Sequence, residues 1–130
     1  MKENRINILG VPVNATNIPA VIDAIAQKIR LEQKCYITVT GVHGIMEAQR
    51  SADILAAHKD AWIVVPDGMP LFYICRMIHG KRNMRRCCGP ELMETLLAKF
   101  VSYNYTHFLY GGNDGVVQRL KNILEKKYPG

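Results

Sequence analysis

Two stretches of this sequence carry residue types suited to an anionic, phosphorylated substrate. Ile63-Val64-Val65-Pro66-Asp67-Gly68-Met69-Pro70 is an apolar, β-branched run that stops at a proline and presents one carboxylate. It then turns on a glycine and opens a helix at a second proline. Such a run reads as a buried parallel strand whose carboxyl end delivers Asp67 into the crevice where open α/β sheets hold ligands. There a carboxylate serves as general base toward an attacking hydroxyl, or holds a metal or a ribose. The second stretch, Phe108-Leu109-Tyr110-Gly111-Gly112-Asn113-Asp114-Gly115, is another strand-to-helix joint, whose amides suit a diphosphate. Between the two, Arg76, Lys81, Arg82, Arg85 and Arg86 fall within eleven residues, and no acid lies between Asp67 and Glu91.

Each feature also has an ordinary reading. Asp67-Gly68 is a common cap-and-turn pair. The basic segment reads as a solvated loop, but Arg86 directly precedes the apolar link Cys87-Cys88-Gly89, which can carry a guanidinium toward the sheet edge to grip phosphate oxygens bidentately. Gly111-Gly112-Asn113 fits neither a dinucleotide-binding fingerprint nor a P-loop, and a tight turn explains it equally well. His43 follows Gly41-Val42 at the end of another strand, where it faces a ligand or caps and packs. Glu47 belongs to a helix surface.

The elements that must position these residues alternate. A first strand runs from Ile6 to Leu9, with a turn at Gly10 to Pro12 and a second short strand near Val13. Thr16 or Asn17 caps a helix with Ile18, Val21, Ile22, Ile25 and Ile29 on one face. Strands follow at Cys35–Thr40, Trp62–Val65 and His107–Tyr110. Helices are expected at His43–Gln49, Ala52–His58, Pro70–Ile78, from Gly89-Pro90-Glu91 onward with a stripe of Leu92, Leu96 and Phe100, and at Asp114–Lys127 with Val116, Leu120, Ile123 and Leu124 inward. The alternation implies an α/β fold, a Rossmann-like, mostly parallel sheet flanked by helices, in a single domain over residues 1–130. The last helix should feed a further strand, so the chain reads as the N-terminal portion of a larger catalytic domain.

At 130 residues, 48% hydrophobic and 22% charged, the chain has ordinary globular composition. A net charge of +6 points to an anionic partner. Adjacent Cys87 and Cys88 cannot pair without strain, and no zinc-type spacing joins the four cysteines, so reduced thiols in a cytosolic protein are expected. Met1-Lys2-Glu3-Asn4-Arg5 is followed by no apolar run, so no signal peptide is expected, and no segment approaches a membrane span.

These pieces, in this order, resemble the WecG/TagA/CpsF family of bacterial glycosyltransferases, typified by N-acetylmannosaminyltransferases. The matching segments are Gly10-Val11-Pro12-Val13-Asn14, Ile37-Thr38-Val39-Thr40-Gly41-Val42-His43-Gly44, Val65-Pro66-Asp67-Gly68-Met69-Pro70, Arg86-Cys87-Cys88-Gly89-Pro90-Glu91-Leu92-Met93, Phe108-Leu109-Tyr110-Gly111-Gly112 and Lys127-Tyr128-Pro129-Gly130. The resemblance implies transfer of a sugar, often N-acetylmannosamine, from a UDP-sugar to a sugar on an undecaprenyl-diphosphate carrier. It places such an enzyme in teichoic acid or exopolysaccharide synthesis, cytoplasmic and peripheral at the inner face of the cell membrane. By motif, Asp67 takes the catalytic-base position and Arg86 that of an arginine meeting phosphate. Thr40, Gly41, His43, Gly111, Gly112 and Asn113 are the substrate-binding candidates. Many members carry Thr-x-Asn where this chain has Val39-Thr40-Gly41, so the asparagine is replaced by Gly41 and the threonine is absent or shifted to Thr40. Members also continue beyond the point matching Gly130, so activity of this chain alone is open.

The expectation is therefore a hexosyltransferase acting by direct displacement, with no cofactor and, lacking Asp-x-Asp, no metal requirement. Its partners are a UDP-sugar, the lipid-diphosphate-linked acceptor and an anionic membrane surface, with homo-oligomers allowed. The rival reading is a non-catalytic nucleotide- or nucleic-acid-binding α/β module, or an inactive truncated homologue. Arg76 to Gly89 contains no aromatic residue to stack bases, which argues against nucleic acid.

Overall fold

Residues 4–82 and 84–129 are described by the computed structural model of this protein. Met1–Glu3 and Gly130, quoted above, lie outside the described residues. The chain forms two units, Met1–Leu92 and Met93–Gly130.

In the first unit, Arg5–Ile8 (β1) and Val11–Asn14 (β2) pair as an antiparallel hairpin, with Ile8 opposite Val11. Leu9 and Gly10 form its two-residue turn, both at positive φ (50° and 85°), the backbone that matches strand twist. Asn7 Oδ1 accepts the Gly10 N–H at 2.7 Å. Period-two alternation buries Ile6, Ile8, Val11 and Val13 on one face. Helix α1 (Ile18–Arg30) starts under Asn17, whose Oδ1 accepts the Ala20 N–H at 3.0 Å, and it buries Ile18, Val21, Ile22 and Ala26.

Ile37–Thr40 (β3) and Ile63–Pro66 (β4) pair in parallel, Ile37 opposite Ile63 and Thr40 opposite Pro66. Helices α2 (Val42–Ala48) and α3 (Ala52–Asp60) make the crossover, the latter capped by Ser51 Oγ. All four residues of β4 are buried, as expected of a strand covered on both faces. One side chain ties the hairpin to β4: buried Asn14 accepts the Val64 N–H through Oδ1 at 2.7 Å. The Arg5 guanidinium adds bonds to the carbonyls of Ala61 and Trp62. Ile6, Val11, Val13, Ile45, Val64, Leu71 and Met84 share the core. Helix α4 (Met69–Tyr73) runs on into a π-helical turn, Ile74–Ile78.

Helix α5 (Gly89–Phe100) begins in the first unit and continues into the second. In the second unit Phe100 meets Tyr105 edge-on at 5.1 Å between ring centroids, and a 3-10 turn spans Val101–Tyr103. Helix α6 (Val116–Lys127) is latched by Glu94, which accepts from Lys127 Nζ at 2.8 Å and from the Tyr128 hydroxyl at 3.3 Å.

The architecture is mixed α/β with six α-helices among the described residues, and its strands depart from expectation in two ways. They form two two-stranded sheets, one antiparallel and one parallel, where a continuous and mostly parallel sheet was expected. The turn lies at Leu9-Gly10 and Pro12 sits inside β2. His107–Tyr110 is not a strand: it is irregular, with Phe108 88% and Tyr110 94% exposed. Among the described residues the second unit has no strand to pair with it, and an isolated strand cannot satisfy its own backbone. Helix α6 also buries less than its stripe promised, because Val116 and Ile123 are exposed and Leu120 and Leu124 only half-buried. No helix among the described residues is long and apolar enough to cross a membrane.

Candidate active site

Asp67 stands immediately past β4, where two chain segments grip it from opposite sides. Its N–H donates to the Thr40 carbonyl at 2.8 Å, extending the β3–β4 ladder by one step. On its other side it bridges in parallel to Cys87, and the Gly68 N–H donates to the Cys87 carbonyl at 3.3 Å. Gly68 then turns the chain into α4 at a φ of +86°, a conformation open to glycine. The half-buried carboxylate accepts the N–H of Gly89, first residue of α5, through Oδ2 at 3.3 Å. That position favours negative charge, since the first amides of a helix carry partial positive charge. Capping and presentation at the strand end thus coexist in one side chain.

Around Asp67 the structure brings together some of the expected residues. Gly41 lies against it, close enough that an added Cβ would stand 3.5 Å from the Asp67 carbonyl oxygen. Thr40 is buried and its hydroxyl donates to the Gly41 carbonyl at 3.4 Å. Helix α2 packs onto that hydroxyl through Gly44, where a Cβ would fall 2.1 Å from Thr40 Oγ1. His43 is exposed in the first turn of α2. Arg86 is exposed one residue upstream of the Asp67–Cys87 bridge. Successive side chains of an extended segment alternate, so Cys87 points inward while Arg86 is free to face outward.

Two buried groups near the site are chemically quiet. Burial first, and then the charges of Glu91 and Asp67, push the Cys87 thiol up to about 11, so it stays protonated and is no nucleophile near neutral pH. Beneath β3, buried His58 bonds Thr38 Oγ1 through Nδ1 at 3.0 Å, and burial lowers its pKa, favouring the neutral ring.

Gly111, Gly112 and Asn113 belong to the second unit, where all three are exposed. Gly111 and Gly112 hold φ values of +105° and +80° and lead to the Gly115 cap of α6. The same unit contains a cavity of about 630 Å³ walled by Leu97, Val101, Tyr105, His107, Leu109 and Leu124, with Lys121 and Glu125 also lining it. Sequence reasoning missed this cavity and the roles of Asn14 and His58. No local signal marks them, because each depends on partners distant in the chain.

The profile of the Glycosyl transferase WecG/TagA/CpsF family matches residues 6–130, nearly the whole chain. A search of curated proteins gives no match.

Proposed function

This chain belongs to the WecG/TagA/CpsF family of glycosyl transferases, and we propose on that premise that it moves an N-acetylmannosamine-like sugar from a UDP-sugar to an undecaprenyl-diphosphate-linked acceptor. Family membership itself carries the coarser statement: glycosyl transfer in cell-surface polysaccharide synthesis, with a sugar-nucleotide donor and a lipid-linked acceptor in general. The observation that supports the finer reading is Asp67, fixed by main-chain bonds on both flanks at the carboxyl end of β4 with its carboxylate half-buried.

In this reading the acceptor hydroxyl oxygen attacks the anomeric carbon of the donor. Asp67 takes the hydroxyl proton as the new glycosidic bond forms. The bond from the anomeric carbon to the diphosphate oxygen breaks, and UDP leaves with the electron pair. Arg86 offsets the charge developing on the diphosphate. Thr40 and Gly41 shape the floor beside Asp67, and His43 is offered to substrate from the exposed first turn of α2. The amides of Gly111, Gly112 and Asn113 are a diphosphate-binding element to be tested on their own. The protein acts at the cytoplasmic face of the membrane, where the lipid-linked acceptor resides.

The test is transfer of labelled sugar from UDP-N-acetylmannosamine to a short-chain lipid-diphosphate acceptor by the full chain. Transfer by the native protein and its loss in both Asp67→Asn and Arg86→Ala is the expected result. Undiminished transfer by Asp67→Asn would return that residue to a capping role. The Gly89 bond favours one second reading, a purely structural Asp67 in a nucleotide-binding module. That reading predicts UDP binding without transfer.

A further inference from the structure

The end of α4 and its π-helical turn display apolar side chains that the fold leaves in solvent. Tyr73 is exposed, Met77 and Ile78 are 74% and 73% exposed, and Met69 also reaches the surface. Met69, Tyr73 and Met77 recur at four-residue spacing, while Leu71 and Cys75 of the same element enter the core. The apolar tip is therefore the outward side of a segment anchored by its inward side. π-helical turns of this kind recur at functional sites.

Cationic residues lie within the tip and just after it in sequence. Arg76, Arg82 and Arg85 are exposed, Lys81 is partly so, and no acidic residue occurs from Gly68 to Pro90. The Arg76 guanidinium lies over the Phe72 ring at 5.6 Å, which holds the cation beside the apolar strip.

We infer that the Tyr73–Met77–Ile78 tip and its arginine rim form a docking surface for an anionic lipid bilayer. Apolar side chains enter the interface while long cationic ones reach the headgroups, the composition that such surfaces need. Nucleic acid fits less well, since phosphates would meet the arginines and leave Met77 and Ile78 wet. A second copy also fits less well. A two-fold contact sets a patch against itself, so each basic rim would face its own duplicate. The docking surface rests on the membrane-borne acceptor of the proposed function, and would bring the protein to that acceptor.

Flotation of the full chain with vesicles tests this surface. Binding is expected to phosphatidylcholine vesicles containing phosphatidylglycerol and to be lost without the anionic lipid. Arg82→Ser with Arg85→Ser should weaken it about 25-fold, at about fivefold per cation near an anionic surface. Met77→Ser with Ile78→Ser should weaken it about tenfold or more, leaving residual binding that salt displaces. Thermal melts should match the native protein, since these side chains are solvent-facing. Absence of vesicle binding, or binding indifferent to the Met77 and Ile78 changes, overturns the inference. So does a shift from dimer to monomer in those variants with vesicle binding unchanged, which would assign the face to a second copy. Asp67→Asn should bind vesicles like the native chain. Docking without sugar transfer in any form would therefore leave the surface standing while removing the catalytic reading.

Discussion

The joint at Asp67-Gly68 and the joint at Gly111-Gly112 have similar sequences: a hydrophobic segment, a glycine turn and a following helix. They are held by different forces. The first continues a strand with neighbours on both sides, so that main-chain bonds to Thr40 and from Gly68 to Cys87 fix the backbone around one carboxylate. The second follows a segment that has no strand partner among the described residues and is preceded by ring contacts. Tyr105 meets Phe100 edge-on at 5.1 Å, and His107 stacks on it at 6.3 Å. Ladder bonds define direction to within a narrow cone, whereas aromatic contacts tolerate sliding. Backbone direction is therefore held more tightly at the first joint, while Gly111, Gly112 and Asn113 stay exposed at the second.

Removing the first joint's chemistry without its geometry gives the largest effect. Asp67→Asn keeps an oxygen for the Gly89 N–H, so the melt should hold while transfer falls by about 10²–10⁴-fold. Asp67→Ala should lose transfer equally and add about 1 kcal/mol of destabilisation from the vacated helix start. A difference between the two in melting, with none in rate, separates capping from catalysis. If both retain the native rate, the contrast between the joints has no catalytic content.

Next is the root of β4. Asn14→Ala leaves the Val64 N–H without its side-chain acceptor in a buried setting, and denaturant unfolding should show a loss of about 1–3 kcal/mol. A smaller effect is expected at the second joint. Gly111→Ala or Gly112→Ala imposes a Cβ at positive φ, costing about 1–2 kcal/mol in that turn. Faster hydrogen exchange in α6, with β4 unchanged, would show that the two joints fail independently. Equal acceleration in both would break the comparison.

The smallest effect is on pH. His58 has a pKa lowered by burial, so the unfolded chain takes up its proton first as pH falls. Stability from this residue is intact above about 6.5, the unfolded value, and declines as pH descends toward the folded value. His58→Gln should flatten that acid limb in denaturant titrations, provided the amide keeps the bond to Thr38. An unchanged limb would remove His58 from the support of β3.

What could be read in advance followed from local chemistry. The β-branched run of β4, the Pro-Asp-Gly-Met-Pro exit and the Asn17 cap of α1 each act on neighbours a few residues away, so their residue types announce them. The assignment of His107–Tyr110 as a strand failed for the opposite reason. Phe, Leu and Tyr nominate a strand, but pairing makes one, and the partner lies outside any local window. Proline at position 12 suggested a turn, yet it stands inside β2 opposite Asn7. The Asp67 position was legible; its bond to Gly89, twenty-two residues on, and the burial of the Thr40 hydroxyl were not.

The Leu9–Gly10 turn bears on the order in which the molecule assembles. A two-residue hairpin of this kind closes in about 1–10 μs, because its contacts are local. The β3–β4 pair must first build a crossover of two helices, and non-local pairing is slower. Asn14, at the end of the hairpin, bonds Val64 fifty residues later in the chain. During synthesis at about 5–20 residues per second, the hairpin precedes that partner by seconds. The hairpin, marginal by itself but quick to close, is thus sampled many times before β4 emerges, and the bond from Val64 to Asn14 then fixes both together.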